Sequence, residues 1–309
     1  MRSSSQYSAE TRSSRLFPGV PWRERLFTFV LYAFLLVFSV ICLLPFWLVI
    51  IDSFASEASL REHGFQLLPS EFSLQAYKYL FSGKQVFRSY GVTLLVTALG
   101  TLLALGLSSS YGYVLAHRKV KYRSILAFLT YFTMLFGAGL VGFYMLIASW
   151  LGLKDTLWAL ILPYLINPFY VFILVSYFRT LPYEMNEAAH IDGAGELRIF
   201  ASIMMPVATP VLATIALFYA LQYWNDWWLA LLFIDDYKLH PLQIMIRQLV
   251  SNMNAQSYIG SSGTSYAIQV PTYGVQLATV CITIGPIIFL YPFLQKYYVK
   301  GLTVGSVKG

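Results

Sequence analysis

Apolar residues along the chain come in six long runs: Leu26–Ile51, Tyr90–Ala116, Ile125–Ser149, Leu157–Phe178, Val207–Ile234 and Tyr273–Leu294. A helix needs about 20 apolar residues to cross the hydrocarbon core of a bilayer, and every run meets that length. The pattern predicts an all-α integral membrane protein with six transmembrane helices. An even number of crossings returns both termini to one side. Residues 1–25 then form a polar N-terminal tail, 26–294 the six-span domain, and 295–309 a C-terminal tail. A cleavable signal is not expected, because the first run is too long for a signal's apolar core.

The basic residues choose the side. Fourteen of the 21 Lys and Arg residues fall in the tails and the segments facing the same way, seven in the opposite segments. The N-terminal tail and the loop around Arg118, Lys119, Lys121 and Arg123 carry most of the excess. Positive charge stays on the cytoplasmic side, so both termini are expected there, in the cell (inner) membrane. Trp150, Trp158, Trp227 and Trp228 then fall at outer span ends, where an aromatic belt belongs.

Composition agrees: 58% of residues are hydrophobic and only 11% charged, where a soluble domain carries about a quarter charged. The net charge of +7 does not point to nucleic acid, since the cations sit at the ends of apolar runs and form no single patch. Cys42 and Cys281 lie in apolar runs, far from any other metal-ligand type, and read as buried, inert thiols. The sequence Gly137–Gly142, GAGLVG, fits the dinucleotide pattern in letters but lacks a preceding strand, so glycines that let helices pack closely are expected there. No phosphate-binding P-loop, zinc spacing or nucleophile elbow occurs, which argues against an enzyme.

One inner segment breaks the charge rule. Residues 184–206, EMNEAAHIDGAGELRIFASIMMP, hold four acids against one arginine. Pro182 suits the first turn of a helix, and acids in the early turns match the positive end of its dipole. Ala188 and Ala189 put small residues on the helix surface. Asp192-Gly193 is a turn pair in which glycine permits positive φ. A second helix follows with Leu197, Ile199, Phe200 and Ile203 as its apolar set, until Pro206 interrupts the backbone ladder. Loop 180–206 is thus expected to be a rigid elbow. Its small residues let another protein approach closely.

This stretch resembles the cytoplasmic signature of binding-protein-dependent ABC importer permeases: Glu-Ala-Ala, three residues, Gly, then nine residues to Ile-x-Leu-Pro. The matching positions are Glu187, Ala188, Ala189, Gly193, Ile203 and Pro206, with Met205 where leucine is usual. The resemblance implies the ABC importer permease fold and a coupling helix, including Asp192, that docks in a separate cytosolic ATPase. It implies two ATPase copies, a second permease and an extracytoplasmic solute-binding protein as partners. ATP and Mg belong to the ATPase, and this chain holds no cofactor. The segment YWNDWWLALLF resembles carbohydrate-uptake permeases, and the tail YVKGLTVGSVKG resembles the C-terminus of the maltose-type second permease. HPLQIMIRQLVSN resembles the branch handling complex or uronate oligosaccharides, alginate among them. A sugar or oligosaccharide is therefore the expected substrate. The alternatives are another solute, such as a peptide or amino acid, and a stand-alone secondary transporter, which would show internal repeats or more ionisable residues at mid-membrane.

Span five offers a path for that substrate. Tyr219, Gln222, Tyr223 and Asp226 recur at helical spacing on one face, while Trp224, Trp227, Trp228 and Leu231 share another. Two readings fit the polar stripe: it lines a watery path, or Asp226 caps or hydrogen-bonds a neighbouring helix. Asn167, between Pro163 and Pro168, either lines the path or satisfies backbone freed by the prolines. The outer segments carry seven basic residues against eight acids, so charge selects no anionic substrate. The long outer loops 52–89 and 235–272 are candidates for meeting the binding protein, and the second contains SNMNAQSYIGSSGTSY, flexible in composition.

Overall fold

The computed structural model describes residues 22–260 and 273–284, with backbone alone for 252–260. The chain divides into two compact units, 1–49 and 50–309. In the first, the described residues belong to one helix, α1 (Trp22–Asp52), which tolerates Pro45 in its interior. Every residue from Trp22 to Trp47 is exposed, as suits an apolar rod made to meet lipid.

The second unit is built around α4 (Gln85–Ala116). Its buried positions run Ser89, Thr93, Val96, Gly100, Ala104, Ser108 and Gly112, a stripe of mostly small residues at steps of three or four. Small side chains let helix backbones approach, and in a membrane close packing is what holds helices together. A Cβ at Gly100 would lie 2.7 Å from the Tyr223 ring, so only glycine fits there. The stripe receives α8 (Pro168–Thr180) and α12 (Thr209–Trp224), whose Val171, Leu174, Ile215 and Tyr219 are fully buried.

Among the described residues, α1 and α4 are long and apolar enough to cross a membrane unbroken, and three bent pairs pass the same test together. Three predicted spans are therefore not continuous helices. The third breaks by 118° between α5 (Arg123–Leu135) and α6 (Gly139–Tyr144), which continues as a π-helical turn, Met145–Trp150. Gly139 takes φ +73° at this break, while Cβ atoms at Gly137 and Gly142 would meet no other helix. The glycines expected to pack helices closely instead end one. The fourth span bends by 46° between α7 (Trp158–Ile161), with its 3₁₀ extension Leu162–Tyr164, and α8.

The fifth is interrupted twice. A chain of short helices described below turns by 84° into α12, and α12 ends at Trp224, before the short helix Trp228–Phe233. Asp226 thus lies off the helix that periodicity placed it on, and Trp224 is buried while Trp228 and Leu231 are exposed. The sixth expected span begins with a helix at Tyr273–Ile284; its remainder lies outside the described residues, as do the C-terminal tail and most of the N-terminal one.

The expected outer loops are largely ordered. Helices occupy Glu57–His63 and Gln75–Ser82, and Ala55 bridges Phe72. The Glu57 carboxylate accepts the backbone N–H groups of Tyr273 and Gly274, pinning the last described helix. Leu242–Gly260 is helical, so the first half of the stretch read as flexible is not loop; residues 261–266 lie outside the described residues. Cys42 is exposed on α1 and Cys281 half-buried, so neither thiol is buried as expected.

Candidate functional site

The elbow forms from local rules. Tyr183 supplies the first carbonyl of the helix Glu184–Ile191, accepting N–H from Asn186 (2.9 Å) and Glu187 (3.2 Å). Glu184 and Glu187 sit in its first turn, where the helix dipole favours negative charge. The helix ends in a Schellman closure: Ala194 N–H donates to the Ala189 carbonyl at 2.9 Å and Gly193 N–H to that of His190 at 3.0 Å. That closure needs a left-handed residue, and Gly193 takes φ +79°. The glycine corner read from Asp192-Gly193 is there.

Burial splits the elbow into a root and a tip. Asn186 and Ala189 are buried; Glu187, Ala188, Ile191, Asp192 and Gly193 are exposed. Both alanines were expected on the surface, but only Ala188 is there. Ala189 is small because it packs against the protein's own core. The return strand starts with the helix Glu196–Ile199, continues as a π-helical turn Phe200–Met204 and closes at Met205–Val207. Ile199, Met204 and Ala208 are almost completely buried, Ile203 is half-buried and Pro206 exposed. The wide turn ends where Pro206, with no N–H to give, removes one rung of the ladder.

Leu197 does not join the apolar set. It is 85% exposed and, across the glycine corner, Ile191 is 86% exposed. Helical periodicity placed Leu197 with Ile199 and Phe200; the short helix begins only at Glu196 and turns it outward. Ile191 was not singled out in the sequence at all. Its signal was a large apolar residue beside a turn in an otherwise acidic helix.

Behind the elbow, the Tyr113 hydroxyl lies 3.4 Å from both Asn186 Oδ1 and Glu196 Oε2. The Tyr113 ring meets Phe178 edge-on and Phe200 at 5.3 Å between centroids. His190 Nε2 is 3.1 Å from Glu196 Oε1, an ion pair when the ring is protonated. The root is therefore fastened to α4 and α8 by rings and polar contacts, while the tip is exposed.

The predicted polar stripe of span five has a different character. Tyr219 is fully buried; its hydroxyl pairs with Ser108 Oγ at 2.6 Å and accepts the Asn167 backbone N–H at 3.0 Å. Asn167 Oδ1 accepts the Phe169 N–H at 3.0 Å, capping α8 in the gap left by Pro168. Tyr223 donates to the Ile161 carbonyl at 3.0 Å. The Asp226 carboxylate accepts the Tyr164 hydroxyl at 2.9 Å, and the N–H groups of Leu229, Trp228 and Ala230 bear on it as well. Spans two, four and five are cross-braced by these groups. Gln222 stands apart: its Oε1 is buried with no hydrogen-bond partner.

In the segments joining these spans, Asp155 takes φ +57° and accepts the N–H groups of Asp235 (2.6 Å) and Asp236 (2.9 Å). Those bonds hold its carboxyl below the usual carboxylate range. Lys154 pairs with Asp235 at 2.7 Å, which raises the ammonium's pKa. No three His, Cys, Asp or Glu residues cluster as metal ligands among the described residues.

Residues 103–304 match the family of binding-protein-dependent transport system inner membrane components, and the chain belongs to that family. Protein LplC of Bacillus subtilis is 44% identical over 271 residues, 87% of this chain and 90% of that protein. The polygalacturonan/rhamnogalacturonan transport system permease protein YtcP of the same organism is 40% identical over 290 residues, 93% of this chain and all of that protein. In solved structures, the fold resembles a chain from the crystal structure of a bacterial ABC transporter involved in the import of the acidic polysaccharide alginate. The TM-score is 0.81 at 28% identity, covering 91% of this chain and all of that one. The protein is thus a multi-pass membrane transport subunit of a binding-protein-dependent system, and the expected family and fold stand.

Proposed function

We propose that this chain is the permease subunit of an ATP-driven importer that carries an oligosaccharide into the cytoplasm. It crosses the membrane six times with both termini inside, pairs with a second permease, and receives sugar from an external binding protein. Of two cytosolic ATPase subunits, which hold the ATP and Mg, one grips the elbow through Glu187, Ala188, Asp192 and the exposed pair Ile191 and Leu197. Ala189, Gly193, Ile203 and Pro206 set its shape. ATP-driven closure moves the elbow and shifts the population between inward- and outward-open states.

The observation that carries this reading is the elbow's division into a buried root and a projecting tip with two bare apolar side chains. The carbohydrate assignment is supported by the relatives, among them a polygalacturonan/rhamnogalacturonan permease and a trehalose/maltose permease of Thermococcus litoralis. The higher identity to the polygalacturonan/rhamnogalacturonan permease, 40% against 30% for the trehalose/maltose one, favours a uronate-containing oligosaccharide as cargo. Within the stripe, Gln222 is the residue with hydrogen-bonding capacity left for a sugar hydroxyl.

The test is co-purification from native membranes with a tag on this chain. Wild type should bring down a cytosolic ATPase whose hydrolysis rises with galacturonate oligomers. Glu187→Lys and Gly193→Pro should lose the ATPase or its stimulation. If wild type brings down no ATPase, the coupling reading fails; if ATPase is present but responds only to peptides, the sugar reading fails.

A further inference from the structure

Beneath the elbow's root is a cavity of about 400 Å³, lined by the end of α4, the start of α5, the end of α8 and the root itself. Its wall includes Arg118, Arg123 and Arg179 and no Asp or Glu. None of the three guanidinium groups is in an ion pair among the described residues. Arg118 lies over the Tyr183 ring, 5.2 Å from its centroid, which fixes the side chain while leaving its N–H groups free.

His117 adds an independent sign. The residue is 8% exposed and lines the same cavity. Its Nδ1 accepts the Lys119 N–H at 3.4 Å, which assigns the proton to Nε2 in the neutral ring. That Nε2 is buried with no hydrogen-bond partner; Glu196 Oε2 lies 4.0 Å away. A buried donor without an acceptor is costly, and the exposed Arg118 and Arg179, with half-buried Arg123, set three cations beside it. An anion with several acceptor oxygens resolves both.

We infer that this cavity is a phosphate-recognition site, filled by the headgroup phosphate of an anionic lipid. Arginine is the residue suited to bind phosphate with two parallel hydrogen bonds. Basic pockets at the inner end of a helix bundle are suited to lipid headgroups. The surface leading away from the cavity fits acyl chains: on α5, directly after Arg123, Ile125, Phe128 and Leu129 are exposed. A free phosphate group presents the same oxygens but gains nothing from that apolar approach. An ATPase acid is disfavoured, because the surface offered to a partner is the tip at Ile191 and Leu197, while the cavity opens at the root.

The experiment uses the assembled transporter in detergent, stripped of lipid, with phosphatidylglycerol, phosphatidylcholine and inorganic phosphate as separate probes. Bound lipid is counted by native mass spectrometry and stability is followed by thermal shift. Wild type should retain phosphatidylglycerol over phosphatidylcholine. Arg118→Gln with Arg123→Gln and Arg179→Gln should weaken that binding about 100-fold, at roughly a factor of five for each cation near the surface. His117→Gln, which keeps the cations, should weaken it less. If lipid shows no preference but inorganic phosphate stabilises wild type and not the triple variant, the site stands with free phosphate as its source. Equal binding in wild type and variants, or no response to either probe, overturns it. Should the triple variant fail to assemble, unchanged retention in His117→Gln does the same.

Discussion

The elbow and the brace within span five both combine acids, aromatic rings and a broken helix, yet they use them in opposite ways. In the brace, Tyr219, Tyr223, Tyr164 and Asp226 are bonded to groups of the protein itself. At the elbow's tip, Ile191, Leu197 and Glu187 are exposed. A membrane interior has no water to satisfy stray polar groups, so polarity there is spent on holding spans together. In water a bare apolar pair is the costly feature, and it is there that the proposed ATPase contact falls.

That contrast makes the two regions separable by mutation. The largest effect is expected from Ile191→Ser with Leu197→Ser. Losing about 3 kcal/mol of apolar burial should weaken ATPase association roughly 100-fold, read by quantitative pull-down, with an unchanged melting temperature. A fall in melting temperature of several degrees would show that the tip is part of the fold. Tyr219→Phe should do the reverse. It strands the half-buried Asn167 N–H, while the Ser108 hydroxyl keeps its bond to the Leu165 carbonyl, costing about 1–3 kcal/mol, with ATPase association intact.

Gly193→Ala is expected to have a smaller effect, near 1–2 kcal/mol for a side chain at φ +79°, and to appear mainly as slower substrate-stimulated ATP hydrolysis. The smallest effect is electrostatic. The carboxyl of Asp155 is held below the unfolded value of about 3.9, so its contribution is constant from neutral pH down to about 4. It is lost as pH falls further, through the folded value. The melting-temperature gap between wild type and Asp155→Asn should therefore narrow only below pH of about 4; a gap that narrows between pH 8 and 6 would refute this.

How much of each region the sequence revealed follows from the range of the interactions. Gly193, Pro206 and the acidic first turn act within a few residues, and the corner they imply is present. Asp226 was assigned to a helical face because periodicity cannot see that α12 ends at Trp224. Its partner Tyr164 is 62 residues away, and Ser108 is 111 residues from Tyr219. Such pairings leave no local trace. Leu197 failed for the opposite reason. Its pattern was apolar and regular, but the helix that carries it is only four residues long and starts too late to turn it inward.

The 84° turn at Ala208 has a mechanical consequence. Ala208 is fully buried and its N–H is bonded to Met204 at 2.9 Å, so the corner is a fixed joint with no slack. A displacement along the elbow's return helix therefore has almost no component along α12. Like a bell crank, the joint sends that stroke out sideways, so α12 swings and does not slide. Because the Tyr223 ring rests directly on Gly100, α4 and α12 are packed to lean together.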